Sequence, residues 1–197
     1  MGEPLGERAL DQLFRNARTH RAWHPRSVAP ELLSSIYDLM KWGPTTNNTC
    51  PARIVFIVSR EAKERLKPHL NSGNVEQTML APATAIVAHD LEFYRFMPKL
   101  SPNPGARESW QKKNPAELQE AAFRNGSLQG GYFIMAARCL GLDCGPMSGF
   151  NNAGVDREFF SGTSIKSNLL CNLGYGDPVS LRPRAGRLDF DEACSIL

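Results

Sequence analysis

The chain reads as an α+β fold with a mixed, mainly antiparallel sheet around a buried central helix. Three observations predict this. β-Rich runs at 53–58, 84–89 and 168–176 are separated by segments of unequal length, so regular βαβ alternation is absent. The longest helical pattern, 117–140, carries Leu128, Tyr132, Phe133, Ile134, Met135, Ala136 and Ala137. It is apolar nearly all round, which predicts burial on every side. The length, 197 residues, suits one core, and 1–197 is taken as a single domain.

In chain order, residues 6–18 place Leu10, Leu13, Phe14 and Ala17 on one helical face, and the basic loop "RTHRAWHPRS" follows. Pro30 sits at the first position of a helix whose stripe is Leu32, Ile36, Leu39 and Met40. Gly43-Pro44 ends it. Five short polar residues, Thr45 to Thr49, then precede the strand at Arg53–Val58; they read either as a loop or as the wall of a polar ligand's pocket. Ser59 caps a charged helix through about Leu66, and "TAIVAH" is the second strand, introduced by Ala81-Pro82. Residues 91–115, with Pro98, Pro102, Pro104 and Gly105, read as an irregular excursion of the kind that forms lids or substrate loops. "GLDCGPMSGF" breaks out of the long helix, "VDREFF" is a short helix, and "NLLCNLGYG" is a late strand. The tail from Asp177 is polar and Arg-rich.

Composition removes several function classes. Hydrophobic content of 42% and charged content of 22% are ordinary for a globular domain. A net charge of +3 without a basic block leaves no nucleic-acid footprint, though it permits anionic small molecules. Five cysteines, Cys50, Cys139, Cys144, Cys171 and Cys194, form no C-x-x-C pair, which argues against a disulfide framework and a zinc ribbon. "MGEPLGERAL" holds no apolar leader core, and "GGYFIMAARCLGL" is broken by Arg138 and too short for a bilayer. Together these predict a soluble cytoplasmic protein with no membrane partner.

No G-x-G-x-x-G after a strand, no P-loop and no G-x-S-x-G elbow is present. His20 and His24 have i, i+4 spacing, but Pro25 breaks the helix that a metal pair needs; they read as surface histidines, and no metal is expected. Cys50 has no evident histidine partner and reads as inert. What remains is a dispersed basic set, Arg18, Thr19 and Arg21 near the start and Arg182 and Arg184 near the end. Each cluster alone reads as a solvated face; together they offer charge-assisted contacts to a phosphate.

Four blocks stand in order: "ARTHRAW", "GPTTNNTCPARIVFIV", "AARCLGLDCGPMSGF" and "LGYGDP…RPR". They resemble the FMN-dependent nitroreductase family across nearly the whole chain, and within it the malonic semialdehyde reductase branch of pyrimidine degradation. The resemblance implies an intertwined homodimer that reduces malonic semialdehyde to 3-hydroxypropanoate. FMN would be bound, with NADPH or NADH as exchangeable donor. Alternatives are a broad nitroaromatic, quinone or enone reductase and a non-catalytic flavin-binding protein.

The same resemblance puts the flavin phosphate against Arg18, Thr19, His20, Arg21, Arg182 and Arg184. It implies that Pro44, Thr45, Thr46 and Asn48 reach the partner protomer's flavin, and that Asn74 bonds the pyrimidine edge. Pro146, Met147, Ser148 and Gly149 would lie near flavin N5, with the backbone of Ser148 and Gly149 closest; N5 carries the hydride, so no catalytic side chain is expected. Residues 177–197 would be an extension at the dimer interface. Ala17, Cys50 and Ala52 depart from the family pattern, with Phe93, Tyr94 or Trp110 as candidates to restore the lost bulk. Finally, Arg95, Lys99, Arg107, Lys112 and Lys113 outnumber Glu92 and Glu108 in the 91–115 loop. That excess either attracts a small carboxylate, with Arg95 and Arg107 as substrate contacts, or is merely solvated.

Overall fold

A computed structural model describes residues 2–197. Among them four strands form one sheet: β1 (Ala52–Ile57), β2 (Ala83–Asp90), β3 (Asp143–Met147) and β4 (Ile165–Gly174), in the spatial order β1-β2-β4-β3. Each neighbouring pair is antiparallel, with Val55 opposite Ile86 and Ile86 opposite Leu170. The mainly antiparallel sheet expected from sequence is thus present, with an isolated parallel bridge between Thr19 and Cys144.

β2 is buried along its whole length because helices cover both faces. Successive side chains of a strand point to opposite faces. Ala83, Ala85 and Val87 meet Ile36 and Met40 of α2 (Pro30–Met40) and Phe133, Ala136 and Ala137 of α7 (Pro115–Cys139). Ile86 and Ala88 face the opposite layer, with Leu66 of α3 (Arg60–Leu66) and Val155 of α8 (Asn152–Phe159). Truncating a core aromatic such as the fully buried Phe133 to alanine costs about 3–5 kcal/mol.

α7 starts at Pro115, two residues before the 117 expected from sequence, because a capping box fixes its first turn. Asn114 Oδ1 accepts from the Glu117 N–H (3.0 Å), Glu117 Oε2 accepts from the Asn114 N–H (3.1 Å), and Pro115 fills the first helical position. Gly126 and Gly130 then let the helix settle closely on the sheet. A Cβ on Gly126 would stand 2.9 Å from His89 Cβ, and one on Gly130 would stand 3.4 Å from Leu169.

Several expectations need correction. α7 is not buried on every side: Asn125, Gln129, Phe133 and Ala137 face inward, while Phe123, Leu128 and Tyr132 are about half exposed. Residues 91–115 are not irregular. A turn at Phe93–Phe96, α5 (Met97–Leu100) and α6 (Ala106–Gln111) wrap a small core in which Phe93 and Trp110 stack edge to face, centroids 5.0 Å apart. Prolines broke the periodicity there without breaking the packing.

Two elements were hidden by their composition. β3 contains Gly145 and Pro146, and it is an edge strand, where proline is tolerated. α4 (Ser72–Leu80) opens on Ser72, Gly73 and Asn74, all weak helix formers. Its far end is held from outside, since buried Lys63 Nζ donates to Thr78 O (3.1 Å) and to Ala81 O. Burial pulls Lys63 down to about 8. The first helix is also shorter than expected, α1 (Glu7–Leu10) passing into a wider π turn at Asp11–Arg15 that buries Leu13 and leaves Phe14 exposed.

His89, on β2 under α7, is buried with its Nδ1 unpartnered among the described residues and Nε2 3.3 Å from Gln119. Burial pushes its pKa below the usual 6.5, while Asp156 and Asp90 pull weakly upward and Lys166 adds to the fall. The folded state thus binds its proton less readily than the unfolded chain. Stability is fully kept above 6.5 and is lost as pH falls below it, by up to about 1.4 kcal/mol per pH unit. Urea unfolding between pH 8 and pH 5 should show that loss, and His89→Leu should flatten it by one proton's worth.

Candidate functional site

The two basic clusters at opposite ends of the sequence meet. Arg18, Thr19, Arg21, Arg182 and Arg184 line one cavity of about 280 Å³, together with Arg138 and Arg187. Main-chain carbonyls hold it in shape. The Arg18 guanidinium donates to Arg182 O, and Arg184 Nη2 donates to Arg15 O (2.7 Å) and Ala17 O (3.1 Å). Arg138 Nη1, reaching from the last turn of α7, donates to Leu13 O (3.0 Å). No carboxylate among the described residues lines the cavity. Six guanidiniums without a counter-charge form a donor set for a phosphate, which can take bidentate bonds from several at once.

Arg138 was missed by sequence reasoning, where it counted only as an interruption of an apolar stretch. The one charged residue within that apolar stretch was the available signal. It also lines a second hollow of about 930 Å³, which runs along the outer face of α7 past Phe123, Leu128, Gly131 and Tyr132 to Pro146. A polar, cationic basin therefore shares a wall with a long, largely apolar groove. That pairing suits a ligand with a phosphate at one end and a flat ring system at the other.

His20 is corrected. It is buried, not a surface residue, with Nε2 3.5 Å from Asp143 Oδ1, its ring 6.3 Å from that of Trp23, and Nδ1 without a partner among the described residues. It lies outside the basin's lining, and its N–H is taken by Cys144 O (3.1 Å). The ring packs on Gly176, where any Cβ would fall 2.1 Å from Nδ1. His24 is exposed, and no metal-holding cluster occurs among the described residues.

The polar stretch after α2 takes an unusual shape. Asn47, Asn48 and Cys50 have φ of 50°, 55° and 41°, the left-handed region that non-glycine residues enter at a cost. Thr45 Oγ1 accepts from the Cys50 N–H (3.2 Å), and Asn48 Nδ2 donates to Leu100 O (2.9 Å). From α7, Asn125 Oδ1 accepts the Thr46 N–H and Gln129 Oε1 accepts the Ala52 N–H, each at 2.8 Å. Both amides are buried, and neither was singled out from sequence. Within one chain, Pro44, Thr45, Thr46 and Asn48 line neither the basin nor the α7 groove.

Asn74 and Gly149 do come together. Asn74 Nδ2 donates to Gly149 O (2.8 Å), and Gln77 Nε2 donates to Asn74 Oδ1 (2.6 Å). Pro146 and Met147 belong to β3, and Ser148 is exposed just beyond it. Arg95 and Arg107 do not join the site. Arg95 pairs with Glu92 at 2.6 Å, Arg107 is exposed, and neither lines the basin or the groove. Nor do Phe93 and Trp110 restore bulk beside Cys50 and Ala52, because both are buried in their own cluster. Phe96 and Leu100 border that place instead.

The sequence profile of the Nitroreductase family matches residues 14–176. A Stenotrophomonas maltophilia protein, named as a candidate NADH dehydrogenase/NAD(P)H nitroreductase, is 56% identical with all of both chains covered. A Leptothrix cholodnii protein of the same name is 52% identical, again over both whole chains. Among solved structures, a candidate nitroreductase in complex with FMN from Exiguobacterium sibiricum superposes with a TM-score of 0.85, covering all of both chains at 16% identity. The fold, the matched profile and full-length relatives above half identity have one conclusion: the chain belongs to the nitroreductase family.

Proposed function

We propose that the chain binds FMN in the Arg-lined basin and the adjoining α7 groove, and works as an NAD(P)H-dependent oxidoreductase reducing malonic semialdehyde to 3-hydroxypropanoate. The observation that carries this reading is the cavity of about 280 Å³ that gathers Arg18, Arg21, Arg138, Arg182 and Arg184 without a carboxylate and shares Arg138 with the apolar groove. The phosphate-bearing, flat-ringed cofactor of the Exiguobacterium protein suits that donor set, and the relatives' names support a nicotinamide donor.

In this reading the guanidiniums hold the phosphate, Thr19 adds a hydroxyl, and Arg138 anchors the junction between phosphate and ring. Gly131 leaves room for the ring's approach to α7, and Pro146 closes the groove's far end. Bound FMN supplies a ring that takes a hydride from NADPH or NADH and delivers it to the substrate. Phe123, Leu128, Tyr132 and Trp42, the last 80% exposed, form an apolar surface suited to a second copy of the chain. In such a homodimer, Pro44 to Asn48 of one protomer reach the groove of the other, and residues 177–197 lie at the interface. Water leaves the groove when the two faces meet, which strengthens each polar contact inside.

A second reading is broad nitroaromatic, quinone or enone reduction. Its support is the placement of Arg95 and Arg107 away from the groove, which leaves Arg124 and Arg138 as the groove's own cations.

Purified protein should be yellow, and anaerobic NADPH or NADH should bleach it within turnover time. Yellow protein that neither donor reduces would leave a flavin-binding role instead. Arg18→Ala and Arg184→Ala should each weaken FMN about tenfold or more while sparing riboflavin, because a charge-assisted bond to phosphate contributes about 1.5–3 kcal/mol. Equal losses for both ligands would remove the phosphate from the basin. For substrate choice, kcat/KM for malonic semialdehyde should exceed that for a nitroarene. Arg124→Ala, at the groove itself, should raise KM for the aldehyde acid by roughly two- to fivefold and leave the nitroarene unchanged, the range of one exposed charge.

A further inference from the structure

We infer that Asn125 and Gln129 are positioning residues: two buried amides on α7 that grip both ends of the strained loop 46–52 and hold it in the shape a flavin meets. The inference rests on the FMN reading above for the loop's ligand, but the grip itself is a property of this chain alone.

The argument starts from helix geometry. Residues 125 and 129 are four apart and share a face of α7 one turn apart. That face is the one pressed on the sheet, so both amides are buried, Asn125 to 1% exposure. A buried amide without partners is costly, and here each has a specific one. Asn125 Oδ1 takes the Thr46 N–H at 2.8 Å while its Nδ2 donates back to Ala121 O at 2.8 Å; Gln129 Oε1 takes the Ala52 N–H at 2.8 Å.

The two gripped amides flank the positive-φ residues Asn47, Asn48 and Cys50. A chain left to itself relaxes out of that region, so something must over-determine it. Internal bonds help, from the Cys50 N–H to Thr45 Oγ1 and from Arg53 Nη1 to Cys50 O (3.1 Å). Those bonds join the loop to its own neighbours; only the α7 amides among these tie its ends to the helix. Gly126, between the two amides in sequence, lets α7 come close enough for the reach, since a Cβ there would stand 2.9 Å from His89 Cβ.

The test uses conservative and disruptive substitutions in the full chain. Asn125→Leu and Gln129→Met keep volume but leave the Thr46 and Ala52 N–H groups unpaired. Asn125→Asp, protonated at so buried a site, keeps a carbonyl for Thr46 and a hydroxyl for Ala121 O. Hydrogen exchange at the Thr46 and Ala52 amides of flavin-free protein should quicken by about tenfold or more in the first two variants and stay near wild type in Asn125→Asp. FMN affinity, read by flavin fluorescence, should weaken by about tenfold in the same two variants and recover in the third.

Unchanged exchange and unchanged FMN affinity in folded Asn125→Leu or Gln129→Met would overturn the inference. Faster exchange with unaltered FMN affinity would also overturn it, since the grip would then be structural only. If wild-type protein takes up no FMN, the functional reading falls by itself, and wild-type-like exchange in the variants still overturns the grip. Should Asn125→Leu fail to fold, Gln129→Met and Asn125→Asp decide.

Discussion

The close seating of α7 on the sheet is the constraint on which the rest depends. Gly126 against His89, and Gly130 against Val87 and Leu169, remove the side chains that would hold the helix away. Core packing at native density tolerates little slack, so this approach determines what every other residue of the helix can reach. Inward, it brings Phe133 and Ala137 into the main core and Asn125 and Gln129 within hydrogen-bonding range of the loop before β1. Outward, it leaves Phe123, Leu128 and Tyr132 exposed as one apolar stripe. At the C-terminal end it delivers Arg138 to the junction of basin and groove.

The basin illustrates how repulsion among cations is managed without anions. Like charges brought together raise the free energy of the folded state. Here Arg18, Arg138 and Arg184 each spend some N–H groups on main-chain carbonyls of residues 13–17 or 182. Those carbonyl dipoles partly offset the crowding and fix the guanidinium planes, while other N–H groups remain for a ligand. Lysines could not do both tasks, because a compact ammonium has no rigid fork. The arrangement also ties the C-terminal segment to the first one, so the site is itself a tertiary fastening.

Several parts of this were legible locally. Pro30 and Ser59 mark helix starts by chemistry that acts over three or four residues, and the β-branched and apolar run before Ser59 marks a strand the same way. The resemblance to a family added the expectation that Arg18 and Arg184 meet, and they line one cavity. What failed had competing signals. Prolines disguised the packed turn, α5 and α6; glycine and proline disguised β3; and the weak first turn of α4 concealed a helix whose end is capped by a distant lysine. The two-sided apolar pattern of α7 was read as full burial because periodicity does not distinguish a face covered within the chain from one left for something else.

By itself, then, the amino-acid sequence determined the types of the longer elements, the α+β class, the absence of a basic tract and the residue kinds available for binding an anion. These follow from local propensity and composition. Only the tertiary structure decided that Arg138 joins the basin, that His20 is buried beside Asp143, and that Asn125 and Gln129 hold the loop with its three positive-φ residues. Each of those is a contact between side chains or backbone groups whose distance is set by how helix and sheet pack. A residue's neighbours along the chain carry little information about that distance.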